Sequence, residues 1–113
     1  MSFSSRLLMI HLLVYGTSIF LLGVSSQLSA DPEIQISICS SAADMGSLSQ
    51  YNAVLIDLYD PGIREVLQLL RARPNLRIIG LNAATGELVD INRQVYFTLN
   101  LQELIERIKT PSP

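Results

Sequence analysis

Residues 52–62 read N-A-V-L-I-D-L-Y-D-P-G, and this stretch decides the fold. Its first half is an unbroken apolar run with β-branched residues, which indicates a strand buried on both faces, as in a parallel sheet covered by helices. Asp57 then stands at the carboxyl end of the strand, where open α/β sheets place their functional groups. Asp60 and Pro61 follow as the N-cap and first turn of a helix. The stretch therefore predicts a strand, an exposed carboxylate, a turn and a helix.

Four further segments have the apolar or alternating pattern of a strand. They are residues 6–12, 34–39, 76–81 and 94–99. Helical segments are predicted between these strands: residues 13–30, a weak helix at 40–48, an amphipathic helix at 61–72 and at most a short helix at 86–91. A last helix follows the final strand, with Asn100 as its N-cap and Glu103 three residues later. The pattern thus alternates strands with helices, which is typical of α/β domains.

The strand patterns also predict the order of the strands. Residues 34–39 (I-Q-I-S-I-C) and 94–99 alternate between apolar and polar positions, so each belongs at a sheet edge, whereas the other three strands are apolar on both faces. The order 2-1-3-4-5 places those two strands at the edges. We therefore expect a doubly wound, flavodoxin-like (βα)5 domain with a parallel five-stranded sheet over residues 6–109, followed by a disordered tail at 110–113.

Composition and charge exclude several classes of protein. Hydrophobic residues make up 49% of the 113 residues and charged residues 16%, which excludes a disordered chain. The net charge of −2 gives no electrostatic footprint for nucleic acid. The single cysteine, Cys39, cannot form an internal disulfide, so a reducing, cytoplasmic location is compatible with the sequence.

An apolar stretch at residues 7–24 allows a different interpretation. It follows Arg6, and between Arg6 and Asp31 there is no Asp, Glu, Lys, Arg or His except His11, as in a signal peptide or a short membrane anchor. A small exported or membrane-anchored protein is therefore an alternative. Removing this stretch would leave the strand at 34–39 without its neighbour, so we favour a first strand and helix that belong to the sheet.

In their order and spacing, these segments resemble the receiver domain of bacterial two-component response regulators, over residues 6–108. The most specific part is V-L-I-D-L-Y-D-P-G at 54–62, which is similar to the phospho-acceptor strand of that family. The segments D-P-E-I-Q-I, I-I-G-L-N-A and L-Q-E-L-I-E-R-I support it. The resemblance implies a signal-transduction domain of a phosphorelay, with Asp57 at the phospho-acceptor position and Asn82 and Tyr96 in the switch region.

Other residues depart from the family's pattern. His11 and Leu12 stand where the family has an acidic pair for Mg²⁺, Asn82 replaces its threonine or serine, and residues 97–100 contain no lysine. Loss of such groups costs several kcal/mol of transition-state stabilisation in phosphoryl transfer. We therefore expect a pseudo-receiver: a regulatory module with no catalytic residue, metal or cofactor. A working phospho-acceptor with an unusual metal arrangement remains an alternative.

The remaining candidates have simpler interpretations. His11 is expected to be a buried imidazole, and Cys39 a small core or edge-strand residue. Arg64, Arg71, Arg73 and Arg77 indicate a solvated face or a surface for an acidic partner. The first helix has more apolar residues than one covering stripe needs, so we expect a protein partner or a homodimer through that helix, or through the last strand and helix. Nucleic acid is not an expected partner, and membrane contact through residues 7–24 belongs only to the alternative of a membrane-anchored protein.

Overall fold

The computed structural model describes residues 9–46, 48–73, 75–98 and 100–109. Within them the chain forms six strands and three helices: β1 Ile10–Tyr15, α1 Ile19–Leu28, β2 Ile34–Cys39, β3 Ala53–Asp57, α2 Ile63–Arg71, β4 Arg77–Asn82, β5 Glu87–Asp90, β6 Val95–Thr98 and α3 Leu101–Lys109. Two short 3₁₀ turns, Ala42–Asp44 and Leu48–Gln50, stand in place of the weak helix predicted at 40–48. The predicted tail at 110–113 lies outside the described residues.

All six strands form one mixed sheet in the order β2-β1-β3-β4-β5-β6. Strands β2, β1, β3 and β4 are parallel to one another, whereas β5 is antiparallel to both β4 and β6. The α/β class is therefore confirmed, as is the order 2-1-3-4 of the parallel part. The prediction of a sheet of five parallel strands is wrong.

The extra strand comes from residues 86–91, where at most a short helix was predicted. Asn82 closes a tight turn, because its Oδ1 accepts hydrogen bonds from the backbone N–H of Ala84 at 3.0 Å and of Thr85 at 3.3 Å. Gly86 completes the turn with φ of +76°, which glycine adopts easily. A connection this short joins only antiparallel strands, so β5 returns directly along β4. The predicted strand at 94–99 then becomes the antiparallel edge strand β6, and residue 99 lies outside the described residues.

The first strand and helix form, but a few residues later than predicted. The predicted strand covered residues 6–12, of which 6–8 lie outside the described residues; β1 in fact continues to Tyr15. Helix α1 begins at Ile19 because Ser18 caps it, with its Oγ accepting the Leu21 N–H at 3.1 Å. Strand β1 pairs with β2 on one side and β3 on the other, so this apolar segment lies inside the sheet. Among the described helices, none is both long and apolar enough to cross a membrane.

Helices cover both faces of the sheet. Helices α1 and α3 lie over one face, above a core that includes Leu12, Val14, Leu21, Val24, Leu28, Leu55, Ile79, Leu81, Leu88, Leu104 and Ile108. Helix α2 lies over the other, above Leu13, Tyr15, Val54, Ile56, Val66, Leu70, Leu76 and Ile78. The predicted cap of the last helix is confirmed, since Asn100 Oδ1 accepts the Glu103 N–H at 3.1 Å. The end of α3 is held at the start of β2 by Lys109, whose Nζ lies 3.0 Å from Asp31 and 2.6 Å from Glu33.

Candidate functional site

Asp57 ends β3 at the carboxyl edge of the parallel strands, but only 6% of the residue is exposed. Alternation along β3 directs its side chain to the face covered by α1. Gly16 lies against it: a Cβ added to Gly16 would stand 2.9 Å from the Asp57 Cβ and 2.8 Å from Leu21 Cδ2. The Asp57 Oδ1 accepts the backbone N–H of Tyr59 at 3.0 Å. The predicted exposed carboxylate is therefore a buried one that is bonded to a loop amide.

Asp60 lies in the same loop and bonds towards the other face of the sheet. Its Oδ2 accepts the Gly62 N–H at 2.9 Å, and its carboxylate accepts a hydrogen bond from the Tyr15 phenol. Burial, followed by this contact with Asp60, raises the pKa of Tyr15 to about 12. Helix α2 starts after Gly62, so Asp60 is not the N-cap that was predicted; it fixes the backbone just before the cap. The two aspartates of the loop therefore serve opposite faces and form no paired site.

The residues beside Asp57 differ from those predicted. Because β1 runs to Tyr15, His11 and Leu12 lie near the start of the strand, and Tyr15 and Gly16 occupy its carboxyl end. His11 is half-buried rather than buried, and its backbone N–H donates to the Asn52 Oδ1 at 2.8 Å. In the part of the chain that the structure describes, no group of three or more His, Cys, Asp or Glu side chains could hold a metal ion.

The two predicted switch-region residues lie away from Asp57. Asp57 is paired with Leu81, so Asn82, one residue later, has its side chain on the opposite face and bonded within the hairpin turn. Tyr96 lies on the edge strand β6 and is 66% exposed. Strands β4 and β5 separate it from Asp57. The structure therefore does not bring the three predicted site residues together.

One predicted arginine has a different role. Arg64, Arg71 and Arg73 are exposed, as predicted, but Arg77 is buried and its Nη1 lies 2.5 Å from the Asp90 carboxylate. This ion pair was not predicted, because Asp90 lies in a segment that was predicted to form at most a short helix. Cys39 is buried, and burial, together with the nearby charge of Asp44, raises the pKa of its thiol. A raised thiol pKa does not favour a nucleophilic role.

A second surface lies along the β2 side of the sheet, between α1 and the edge strand β2. A groove of about 360 Å³, here called the α1–β2 groove, is lined by Leu22, Ser25, Ser26, Ser29, Ile36 and Ile38. Ile38 is 56% exposed and Leu22 41% exposed, and Ile19 at the start of α1 is 89% exposed. An apolar groove beside an uncovered strand is typical of a surface that binds another protein.

The α1–β2 groove offers few polar groups that a bound partner would have to pair with. The Ser25 Oγ donates to the Leu21 carbonyl at 2.9 Å, and the Ser29 Oγ donates to the Ser26 carbonyl at 2.7 Å, so both hydroxyl donors are used within the helix. Residues 16–30 and 34–43 contain no Asp, Glu, Lys, Arg or His. The sequence predicted part of this surface, from the alternation of residues 34–39 and the apolar surplus of the first helix.

Comparisons of this chain with models of protein families, with curated proteins and with solved structures give no match. Function therefore has to be inferred from two regions of the molecule. The carboxyl edge holds two aspartates, each of which accepts a hydrogen bond from a backbone amide of its own loop. The α1–β2 groove is open, apolar and uncharged.

Proposed function

We propose that this chain is a regulatory interaction domain that acts by binding a protein through α1 and β2, and that it does not carry out ordinary Mg²⁺-dependent phosphotransfer. The observation that carries the proposal is the difference in exposure between Asp57 at the end of β3 and the α1–β2 groove. Asp57 is 6% exposed beside Gly16, whereas Ile38 on the α1–β2 groove is 56% exposed. Accessible apolar surface drives protein association, whereas a phospho-acceptor has to be reached by its donor.

The environment of Asp57 supports the non-catalytic half of this proposal. A phosphoryl group carries charge that metal ions and cationic side chains normally neutralise. The groups that the structure shows against Asp57 include the Gly16 backbone and the Tyr59 amide, which are uncharged. Attack by this carboxylate on a phosphate would therefore gain little electrostatic stabilisation. The order β2-β1-β3-β4 is also that of a receiver domain, which agrees with a domain that has the receiver-like arrangement of strands and binds a protein through its surface.

Site-specific photo-crosslinking in the organism's own cells tests the interaction half. A photoreactive amino acid is placed at Ile38 in the α1–β2 groove, and at Gln68 on the exposed side of α2 as the matched control. We expect covalent protein adducts from position 38 and few from position 68. Absence of adducts at position 38, or equal yields at the two positions, would contradict the proposed function.

One observation favours a second candidate, a working phospho-acceptor. Asp57 ends β3 next to the loop that leaves β1. The chain adds β2 on one side of β1 and β3 on the other, so the crevice between the ends of β1 and β3 is the point where open α/β sheets bind their ligands. Incubation with Mg²⁺ and a small phosphodonor, followed by intact mass measurement, tests this candidate. An acid-labile phosphoryl adduct that is lost in Asp57→Asn and kept in Asp60→Asn would establish phosphotransfer and refute the non-catalytic half of our proposal.

A further inference from the structure

The outer edge of β2 presents unused backbone hydrogen-bonding groups. The Ile10 N–H donates to the Glu33 carbonyl at 2.7 Å, and the Gly16 N–H donates to the Cys39 carbonyl at 3.1 Å. Because backbone groups alternate along a strand, the odd-numbered residues of β2 point theirs at β1. The N–H and C=O groups of Ile36 and Ile38 therefore point outwards, and no strand of the described chain lies beyond β2.

This edge lacks the usual protection against pairing. Exposed edge strands normally carry a lysine, a proline, an inward-pointing charge or a bulge. Strand β2 reads I-Q-I-S-I-C and pairs with β1 without a bulge over all six of its residues. An unprotected edge is expected where another strand covers it in the functional state.

We propose that the strand covering this edge is β2 of a second copy of the chain, paired antiparallel across a two-fold axis. The inference rests on the proposed function and names the partner that the α1–β2 groove binds. The two sheets then join into one continuous sheet of twelve strands, and the two α1 helices lie side by side on the same face.

The two-fold symmetry makes the two edges match. An antiparallel edge-to-edge pair requires a two-fold axis perpendicular to the sheet, and such an axis keeps each face of one sheet level with the same face of the other. Ile36 then lies opposite Ile36 or Ile38 of the second copy, and their outward backbone groups form the new ladder. The isoleucine side chains of both strands fill the space between the two α1 helices, next to Leu22.

The charge distribution favours a second copy over a charged partner. With no Asp, Glu, Lys, Arg or His in residues 16–30 and 34–43, this surface cannot neutralise the charges of an acidic or basic protein. A second copy brings an equally uncharged surface, so pairing buries no unpaired charge. The nearest acidic residues before β2, Asp31 and Glu33, are each bonded to Lys109 of their own chain.

The size of the surface sets the strength of the dimer. Six residues of β2 span about 20 Å, and the strand with α1 above it is about 20 Å high, so each copy contributes about 400 Å². Specific interfaces usually bury about 800 Å² per partner, and smaller ones are weak. We therefore expect a reversible dimer with a Kd on the order of 10–100 µM.

Sedimentation velocity of the full chain, from about 5 µM to about 1 mM, tests the association. We expect the wild type to shift from monomer to dimer over this range. Ile38→Glu should raise Kd at least about tenfold, because each copy would bring an unpaired carboxylate into the apolar strip. The matched control is Leu69→Glu, which changes a 45% exposed leucine on α2 and should leave Kd unchanged. A monomer at every concentration, or an equal effect of the two variants, overturns the proposal.

Amide hydrogen exchange of the wild type gives a second readout that does not depend on a variant's folding. In the dimer, the amides of Ile36 and Ile38 should become protected as concentration rises, while those of Gln35 and Ser37, which face β1, should be protected at all concentrations. A dimer that leaves Ile36 and Ile38 unprotected overturns the β2 pairing. Failure here remains distinguishable from failure of the proposed function: a monomer whose position 38 crosslinks to other proteins refutes only the second copy as partner.

Discussion

We expect Asp90→Asn to lower the free energy of unfolding by about 3–5 kcal/mol, which is the usual cost of breaking one half of a buried ion pair. The Asp90 carboxylate lies 2.5 Å from the Arg77 Nη1, and the two side chains are only 2% and 4% exposed. The variant leaves the guanidinium charge buried without this carboxylate. Since single domains are stable by about 5–15 kcal/mol, the loss would be a large part of the total.

Urea denaturation followed by circular dichroism measures this effect. Glu87→Gln is the matched control, because Glu87 is exposed on the same strand and should change stability by less than about 0.5 kcal/mol. The double variant Arg77→Met with Asp90→Leu removes both charges. It should cost less than Arg77→Met alone or Asp90→Leu alone, because neither charge is left buried without the other.

Two results would refute this reasoning. A loss of less than about 1 kcal/mol in Asp90→Asn would show that water or other groups replace the carboxylate at little cost. A double variant whose cost equals the sum of the two single costs would show that the two charges are energetically independent. In either case the hairpin of β4 and β5 would be held by its backbone ladder and apolar contacts alone.

Three further predictions concern stability. Gly16→Ala should cost about 2–5 kcal/mol in urea denaturation, because φ is +133° and the new Cβ would lie 2.9 Å from the Asp57 Cβ. Burial and the contact with Asp60 raise the pKa of Tyr15 from its usual 10.0 to about 12, so the stability that this phenol contributes is complete below pH 10.0 and is lost as pH rises towards 12. Over that range the free energy of unfolding of Tyr15→Phe should fall by about 2–3 kcal/mol less than that of the wild type. The pKa of Asp31 is lowered, first by the hydrogen bond from the N–H of residue 33 and then by Lys109. The stability that this carboxylate contributes is therefore present above pH 3.8 and is lost on acidification. In acid titrations, Lys109→Met should lose less stability below pH 3.8 than the wild type does.

The sequence predicted the elements whose local pattern agreed with their environment. Strand β3 is apolar throughout and is buried on both faces, and β2 alternates and lies at an edge. The last helix has Asn100 as its cap, as predicted. In each of these elements the burial that the fold imposes matches the pattern of the chain, so a single sequence is sufficient to identify them.

The boundaries of the first strand were predicted wrongly because the apolar stretch at residues 7–24 contains few residues that mark the end of a strand or the start of a helix. A uniformly apolar run shows neither the two-residue period of a strand nor the 3.6-residue period of a helix, so the two cannot be told apart. The signals that fix the boundary are Gly16, whose φ is +133°, and the cap residue Ser18. Both residues were visible in the sequence, and a glycine followed by a capping serine would have placed the end of β1 correctly.

Strand β5 and the candidate site could not be predicted for a different reason. Residues 87–90 read E-L-V-D, and four residues are too few to establish a period. Asp90 looked like a loop residue because its partner Arg77 is 13 positions away and comes close only through the hairpin. The burial of Asp57 likewise involves a distant part of the sequence, since Gly16, the residue after β1, lies against it. These contacts belong to tertiary structure and leave no local pattern.

The strand order has a consequence for how the chain is assembled during synthesis. Strand β2 joins one side of β1, β3 joins the other, and β4, β5 and β6 each attach to the strand made immediately before them. Among the six described strands, none has to be inserted between two strands that are already paired. Every nascent length of the polypeptide can therefore add to a growing edge as it leaves the ribosome, which limits the time for which apolar strands wait for a neighbour and could aggregate.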